Sequence, residues 1–153
     1  MRVEESLHFM LLKAEAALAK QLYQTLPDIE LSPGQPKLLD YLCEHDGCIQ
    51  KELASVCEVE SATITRLLAR MENAGLIERR PSNSDKRSVS VFLTEKGRHA
   101  GTIVRERFAG IEAGAFAGLD REHRQLFLEL LCKIYDNLSH RDPQTGRCRK
   151  NHH

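Results

Sequence analysis

The residues best suited to chemistry fall between Ser61 and Arg87. Ser61, Thr63, Thr65, Arg66 and Arg70 place three hydroxyls and two guanidinium groups within ten residues, and Lys86 and Arg87 add two cations after a polar run. Arginine can donate paired hydrogen bonds to a guanine edge or a phosphate, threonine can meet a base edge or a thymine methyl, and a serine at a helix start can hold a phosphate beside backbone N–H groups. Patterns for other chemistry are missing: there is no G-x-S-x-G, H-E-x-x-H, G-x-G-x-x-G or P-loop, and the seven histidines show no ligand-like helical pair. The expectation is a chain that is not an enzyme, needs no cofactor and has no metal site.

Such side chains need elements to hold them outward. Ile64, Leu67, Leu68 and Met71 recur at i, i+3, i+4 and i+7, which predicts a helix from about Ser61 to Asn73 that buries this stripe and leaves Ser61, Thr63, Thr65, Arg66, Ala69 and Arg70 outside. A shorter helix over Lys51 to Val56 precedes it, joined by a tight turn at Cys57-Glu58. A helix-turn-helix needs a small residue where its helices cross, an apolar plug in the turn and an outward second helix. Ala54, Val59 and Ile64 occupy those places. Glu58 stands where glycine is common, which predicts a strained or altered turn. Next come two strands, Leu76 to Arg80 and Ser88 to Leu93, flanking a polar tip. Val89, Val91 and Leu93 are expected to pack inward and to alternate with Ser88, Ser90 and Phe92.

Apolar helical stripes lie on both sides of this unit. Val3, Leu7, Leu11, Ala14, Leu18 and Leu22 form the first; Leu38, Leu39 and Leu42 follow the helix opening at Ser32-Pro33-Gly34; Phe127, Leu130, Leu131, Ile134 and Leu138 form the last, after an Asp120 cap. A fifth helix from Glu95 to about Ala117 carries several glycines, each costing it about 1 kcal/mol. Gly110, Gly114 and Gly118 at i+4 spacing either admit another backbone closely or break the helix. A lone protomer of 153 residues can hardly cover stripes at both chain ends, so a shared dimer core is expected.

The formal net charge is zero, but its distribution is uneven. Residues 1–60 hold 5 basic against 11 acidic side chains, residues 61–98 hold 8 against 4, and residues 99–153 hold 9 against 7. The basic island suits contact with a polyanion, because that interaction depends on charges near the backbone rather than on the total; a solvated basic face is the alternative. Aromatic content is 5% with no Trp, a poor supply of stacking platforms for single strands. No leader or membrane span is evident, so a cytoplasmic protein is expected. Five cysteines without a C-x-x-C pair give neither a disulfide framework nor a zinc-finger spacing, and reduced thiols are the expectation.

At this level of detail the chain resembles the MarR family, the multiple-antibiotic-resistance type of winged helix-turn-helix regulator. The resemblance runs over nearly the whole chain and is sharpest in Thr63-Ile64-Thr65-Arg66-Leu67-Leu68-Ala69-Arg70-Met71-Glu72-Asn73-Ala74-Gly75-Leu76-Ile77-Glu78-Arg79, in Asp85-Lys86-Arg87-Ser88 and in Leu93-Thr94-Glu95-Lys96-Gly97. It implies a mainly α fold with a small β-wing, in which N- and C-terminal helices form a dimerisation layer. Residues 1–140 would be a single regulator domain, with dimerisation helices at about 1–26 and 95–139, the winged helix-turn-helix at about 33–94, and a basic tail over 141–153. The implied partner is double-stranded DNA bearing a pseudo-palindromic operator, bound by a homodimer. Arg87 would enter a minor groove with Asp85 orienting it, and Ser61, Thr63, Thr65, Arg66, Arg70 and Lys86 would complete the contact. A small aromatic ligand would release a repressor of this kind, with no membrane involved. Two alternatives stay open: a thiol- or metal-responsive regulator of the same fold, using the cluster Cys43-Glu44-His45 and Cys48, or a protein-interaction module without DNA binding.

Overall fold

The computed structural model describes residues 2–26 and 29–139. The basic tail expected over 141–153 lies outside them. The chain divides into two compact units, Met1–Glu112 and Ala113–His153, each taken by itself below.

In the first unit a short 3-10 turn (Val3–Glu5) leads into α1 (Leu7–Gln24), then α2 (Gln35–Glu44), α3 (Gln50–Val56), α4 (Ser61–Asn73), strands β1 (Ile77–Pro81) and β2 (Val89–Leu93), and α5 (Glu95–Ala115), whose last residues pass into the second unit. Gly34, at φ +91°, starts α2, and the Gln35 side chain accepts the Ser32 amide at 2.9 Å to close the turn. Leu38, Leu39 and Leu42 are fully buried beside Leu53, Ile64, Leu68, Met71, Ile77, Val91 and Val104. Burying each such side chain contributes about 1.5–3 kcal/mol, so this cluster dominates the stability of the unit.

The helix-turn-helix forms as its residue types dictate. Ala54 and Ile64 are buried at the crossing, and the Val59 amide donates to the Ala54 carbonyl at 2.8 Å. Glu58 holds φ +52°, the one non-glycine residue in the left-handed region among those described. The altered turn expected there is present.

β1 and β2 pair antiparallel, with Ile77 opposite Leu93 and Pro81 opposite Val89. The expected alternation holds for Val91 and Leu93 but fails at its start: Val89 is exposed and Ser90 is buried. A long-range contact explains it. Gly47 donates to the Val91 carbonyl, Val91 donates to the Cys48 carbonyl, and Ile49 bridges Ser90, so residues 47–49 cover the edge on which Ser90 lies.

The glycine expectation for α5 also needs correction. Gly110 and Gly114 have no described atom within 4 Å of where a Cβ would stand, and Gly118 adopts φ +82° beyond the end of the helix. Close approach occurs instead at Gly97 and Gly101, where a Cβ would meet the Leu76 carbonyl oxygen and Cys43 Sγ.

The second unit contains the end of α5 and α6 (Arg121–Ser139). Asp120 caps α6 as expected, its carboxylate accepting the His123 amide at 2.8 Å. Phe116 meets Phe127 edge-on at 5.9 Å, and the Arg124 guanidinium lies 4.7 Å above the Phe116 ring. No residue of α6 is buried, and Leu126, Phe127, Leu130 and Leu138 are exposed. The apolar stripe exists but nothing in the single chain covers it. The same holds along α1, where Leu22 is buried while Val3, Leu7, Met10, Leu12 and Leu18 are not.

Candidate nucleic-acid interface

α4 buries Ile64, Leu67, Leu68 and Met71 and turns Ser61, Thr65, Arg66 and Arg70 to solvent. Thr63, expected outward, is half-buried. Thr65 donates its hydroxyl proton to the Ser61 carbonyl at 2.9 Å, and the Gln50 amide, on α3, donates to the Thr65 oxygen at 3.3 Å. At the hairpin tip Asp85 accepts the Arg87 backbone amide at 2.9 Å and the Ser88 hydroxyl at 3.2 Å, while the Ser88 amide returns to the Asp85 carbonyl. Asp85 therefore orients Arg87 through the backbone, leaving the Lys86 and Arg87 side chains exposed.

The basic side chains sort by their partners. Arg79 is tied to Glu72 at 2.6 Å, Arg80 to Glu78, Arg98 to Asp46 at 2.7 Å, and Arg105 to Asp40 and Glu44. Arg66, Arg70, Lys86 and Arg87 form no ion pair with any described residue. A cation kept exposed and without a counter-charge retains its full attraction for an external anion, whereas a paired one must first give up a carboxylate. The expected contact residues are thus the cations left uncompensated.

Between α3, the start of α4 and the root of the hairpin runs an open groove of about 610 Å³, lined by Gln50, Lys51, Ser61, Thr65, Arg87 and Ser88 among others. Gln50, Lys51 and Ser88 were not singled out in the sequence. Lys51 sits in the acidic first third of the chain, where a count by segment hides it, and Gln50 reaches the groove only because α3 crosses α4. Glu60 also lines the groove and opposes an anion there.

The cysteine cluster does not form a reactive centre. Burial pushes the Cys43 and Cys57 thiols up, and Cys48 rises to about 11, first through burial and then through the nearby Glu52. All three are free thiols, and a protonated thiol is a poor nucleophile and a poor metal ligand. Cys132 departs from the reduced state expected of it, being disulfide-bonded. Among the described residues no group of three or more His, Cys, Asp or Glu side chains is placed to hold a metal ion.

A model of the MarR family matches residues 31–89, from the loop before α2 into β2. The organic hydroperoxide resistance transcriptional regulator of Bacillus subtilis (strain 168) is 30% identical over 135 residues, 88% of each chain. This chain belongs to the MarR family. Its match to solved members extends past the helix-turn-helix: the transcriptional repressor CouR, solved with a 23-mer DNA duplex, superposes with a TM-score of 0.76 at 27% identity, over 87% of this chain and 94% of that one. BpsR of Bordetella bronchiseptica, solved in a study of its regulation by 6-hydroxynicotinic acid, shares the fold with a TM-score of 0.78 at 24% identity, over 89% and 97%. The six helices and two-stranded wing are those of MarR winged-helix proteins. No helix among the described residues of this MarR chain is long and apolar enough to cross a membrane.

Proposed function

We propose that the chain is a sequence-specific repressor that binds double-stranded DNA as a homodimer in the cytoplasm. Each copy lays α4 in a major groove through Ser61, Thr63, Thr65, Arg66 and Arg70, and sets Lys86 and Arg87 along the neighbouring minor groove with Asp85 bracing the turn. The observation that carries this is the contrast among the cations: those on the α4 face and wing tip are exposed and uncompensated, while Arg79, Arg80, Arg98 and Arg105 are engaged by carboxylates. The uncovered apolar side chains of α1 and α6 support the dimer, since exposed Leu and Phe in such numbers favour burial against a second copy. A homodimer holds its two recognition helices roughly 34 Å apart, one turn of B-DNA, and so reads a pseudo-palindrome.

Release by a small aromatic ligand completes the reading. Grooves of about 400 and 320 Å³ flank Arg105, one lined by Cys43, Leu93, Arg98 and Thr102, the other by Lys37, Tyr41 and Cys57. Those volumes suit a single-ring compound. A ligand there acts by favouring a helix spacing that no longer fits the duplex.

A salt titration of DNA retention tests the first claim. Duplex recovered from a randomised pool should bind with a log–log salt slope that falls by about 0.9 for each phosphate contact removed, so Arg66→Gln with Arg87→Gln should flatten it and abolish retention at physiological salt. An unchanged slope in the double variant sinks the reading. Titration with phenolic acids tests the ligand: loss of the shifted band supports release, and no effect across the series removes that part alone.

A further inference from the structure

The Thr65 hydroxyl carries one proton, and two bonds compete for its definition. The Ser61 carbonyl can only accept, so the 2.9 Å contact uses that proton. The Gln50 contact at 3.3 Å must then run the other way, with the Gln50 amide as donor, and this settles which end of the amide faces Thr65. The hydroxyl is left with no proton to offer. Because Oγ1 is held along the helix toward Ser61 and across to Gln50, the side-chain rotamer is fixed, and the γ-methyl is the group this exposed residue presents at the groove.

We infer that Gln50 sets the base preference of the recognition helix by locking Thr65 as a methyl reader, so that α4 selects a thymine at the base pair Thr65 meets and rejects guanine there. This rests on the DNA-binding reading above. Guanine shows two acceptors, N7 and O6, on its major-groove edge and needs a donor; thymine shows a C5-methyl group. A Thr65 hydroxyl freed from Gln50 could turn its proton outward and satisfy guanine. Locked, it offers carbon to carbon. Gln50 belongs to α3, so the base preference of one helix is set by a side chain from the other.

The test uses the full-length protein and duplex recovered from a randomised pool, with each thymine replaced in turn by deoxyuridine, which deletes only the methyl. One methyl's burial corresponds to about fourfold in affinity. In the wild type, one thymine per half-site should show that loss. The loss should vanish in Thr65→Ser, which keeps the hydroxyl and removes the methyl, and persist in Thr65→Val, which does the reverse. Gln50→Met, close in size but unable to donate, should raise affinity for the duplex carrying guanine at that position at least threefold relative to wild type, with an unchanged melting curve showing that the fold is intact. A Thr65→Ser variant that still loses affinity on methyl deletion, or a Gln50→Met variant that still rejects guanine, overturns the inference. Duplex retained with a flat deoxyuridine scan sinks the inference alone; no retention from any pool sinks the DNA-binding reading with it.

Discussion

Gly97 lies so close to Leu76 that a Cβ on it would stand 1.9 Å from the Leu76 carbonyl oxygen. Around this contact the Thr94 hydroxyl donates to the Gly75 carbonyl at 2.6 Å and accepts the Gly97 amide at 3.0 Å, while Lys96 Nζ donates to the Ala74 carbonyl at 2.7 Å. The start of α5 thus closes over the end of α4, satisfying carbonyls that a helix C-terminus leaves open. Gly97→Ala must push backbone from backbone, so a loss of about 3 kcal/mol is expected, a fall in Tm of roughly 10 °C. A thermal melt by circular dichroism that matches wild type would refute the contact.

Glu58→Gly should stabilise. A side chain at φ +52° costs about 1–2 kcal/mol, and glycine's extra chain entropy gives back roughly half of that, for a net gain of about 0.5–1 kcal/mol. Urea unfolding measures it, with Glu58→Ala as the control that keeps the Cβ and should bring no gain.

The Glu72 carboxylate accepts from the Arg79 side chain at 2.6 and 3.0 Å and from its amide at 3.2 Å, and this hydrogen bonding holds its pKa below the ordinary 4.5. A carboxyl depressed in the folded state contributes stability above its unfolded pKa and loses it as pH falls through the folded value. Glu72→Gln should therefore cost a little at pH 7, under about 1 kcal/mol for so exposed a pair, and nothing near pH 3. A difference from wild type that stays constant between pH 3 and 7 would count against the pair.

Cys48 should resist alkylation. With its thiol pushed up to about 11, the thiolate is scarce at pH 7, and iodoacetamide should react at least tenfold more slowly with the native protein than with the urea-unfolded chain. The native rate should climb as pH rises past 9. Equal rates would show the thiol to be open to solvent.

Arg79→Gln and Arg66→Gln should part company on DNA. Arg79 is held by Glu72, so its loss should leave the salt slope of binding intact and lower stability instead; loss of Arg66 should lower the slope by about 0.9 with an unchanged melt. The reverse outcome would mean that the pairing of cations does not predict their use.

Much of this architecture was readable from period and residue type. The α4 stripe of Ile64, Leu67, Leu68 and Met71, the Ala54–Val59–Ile64 crossing and the Asp120 cap are local patterns, set by residues within a turn or two of one another. The wing's packing was not local. Ser90 is buried because residues 47–49, some forty positions earlier, bridge it, and no period within β2 signals that. The glycines misled for the same reason: Gly110 and Gly114 share a helical face, but where a backbone comes close depends on the partner element, which placed Gly97 and Gly101 against Leu76 and Cys43 instead. In the candidate interface the α4 and wing residues were found from their types, while Gln50 was missed because its importance comes from crossing to Thr65 on another helix.

Asp46 accepts the Leu93 amide at 2.7 Å with one carboxylate oxygen and Arg98 at 2.7 Å with the other. One short side chain therefore rivets the base of the hairpin to both α5 and the α2–α3 turn. The tip behaves differently, since its bonds close on themselves, Ser82 to Ser88 and Ser88 to Asp85. Rocking of the hairpin as a rigid arm is blocked at its root, so accommodation of narrower or wider grooves falls to the curl of the fingertip, and operators that differ in width should be told apart by residues 82–88 and not by any tilt of the lobe behind them.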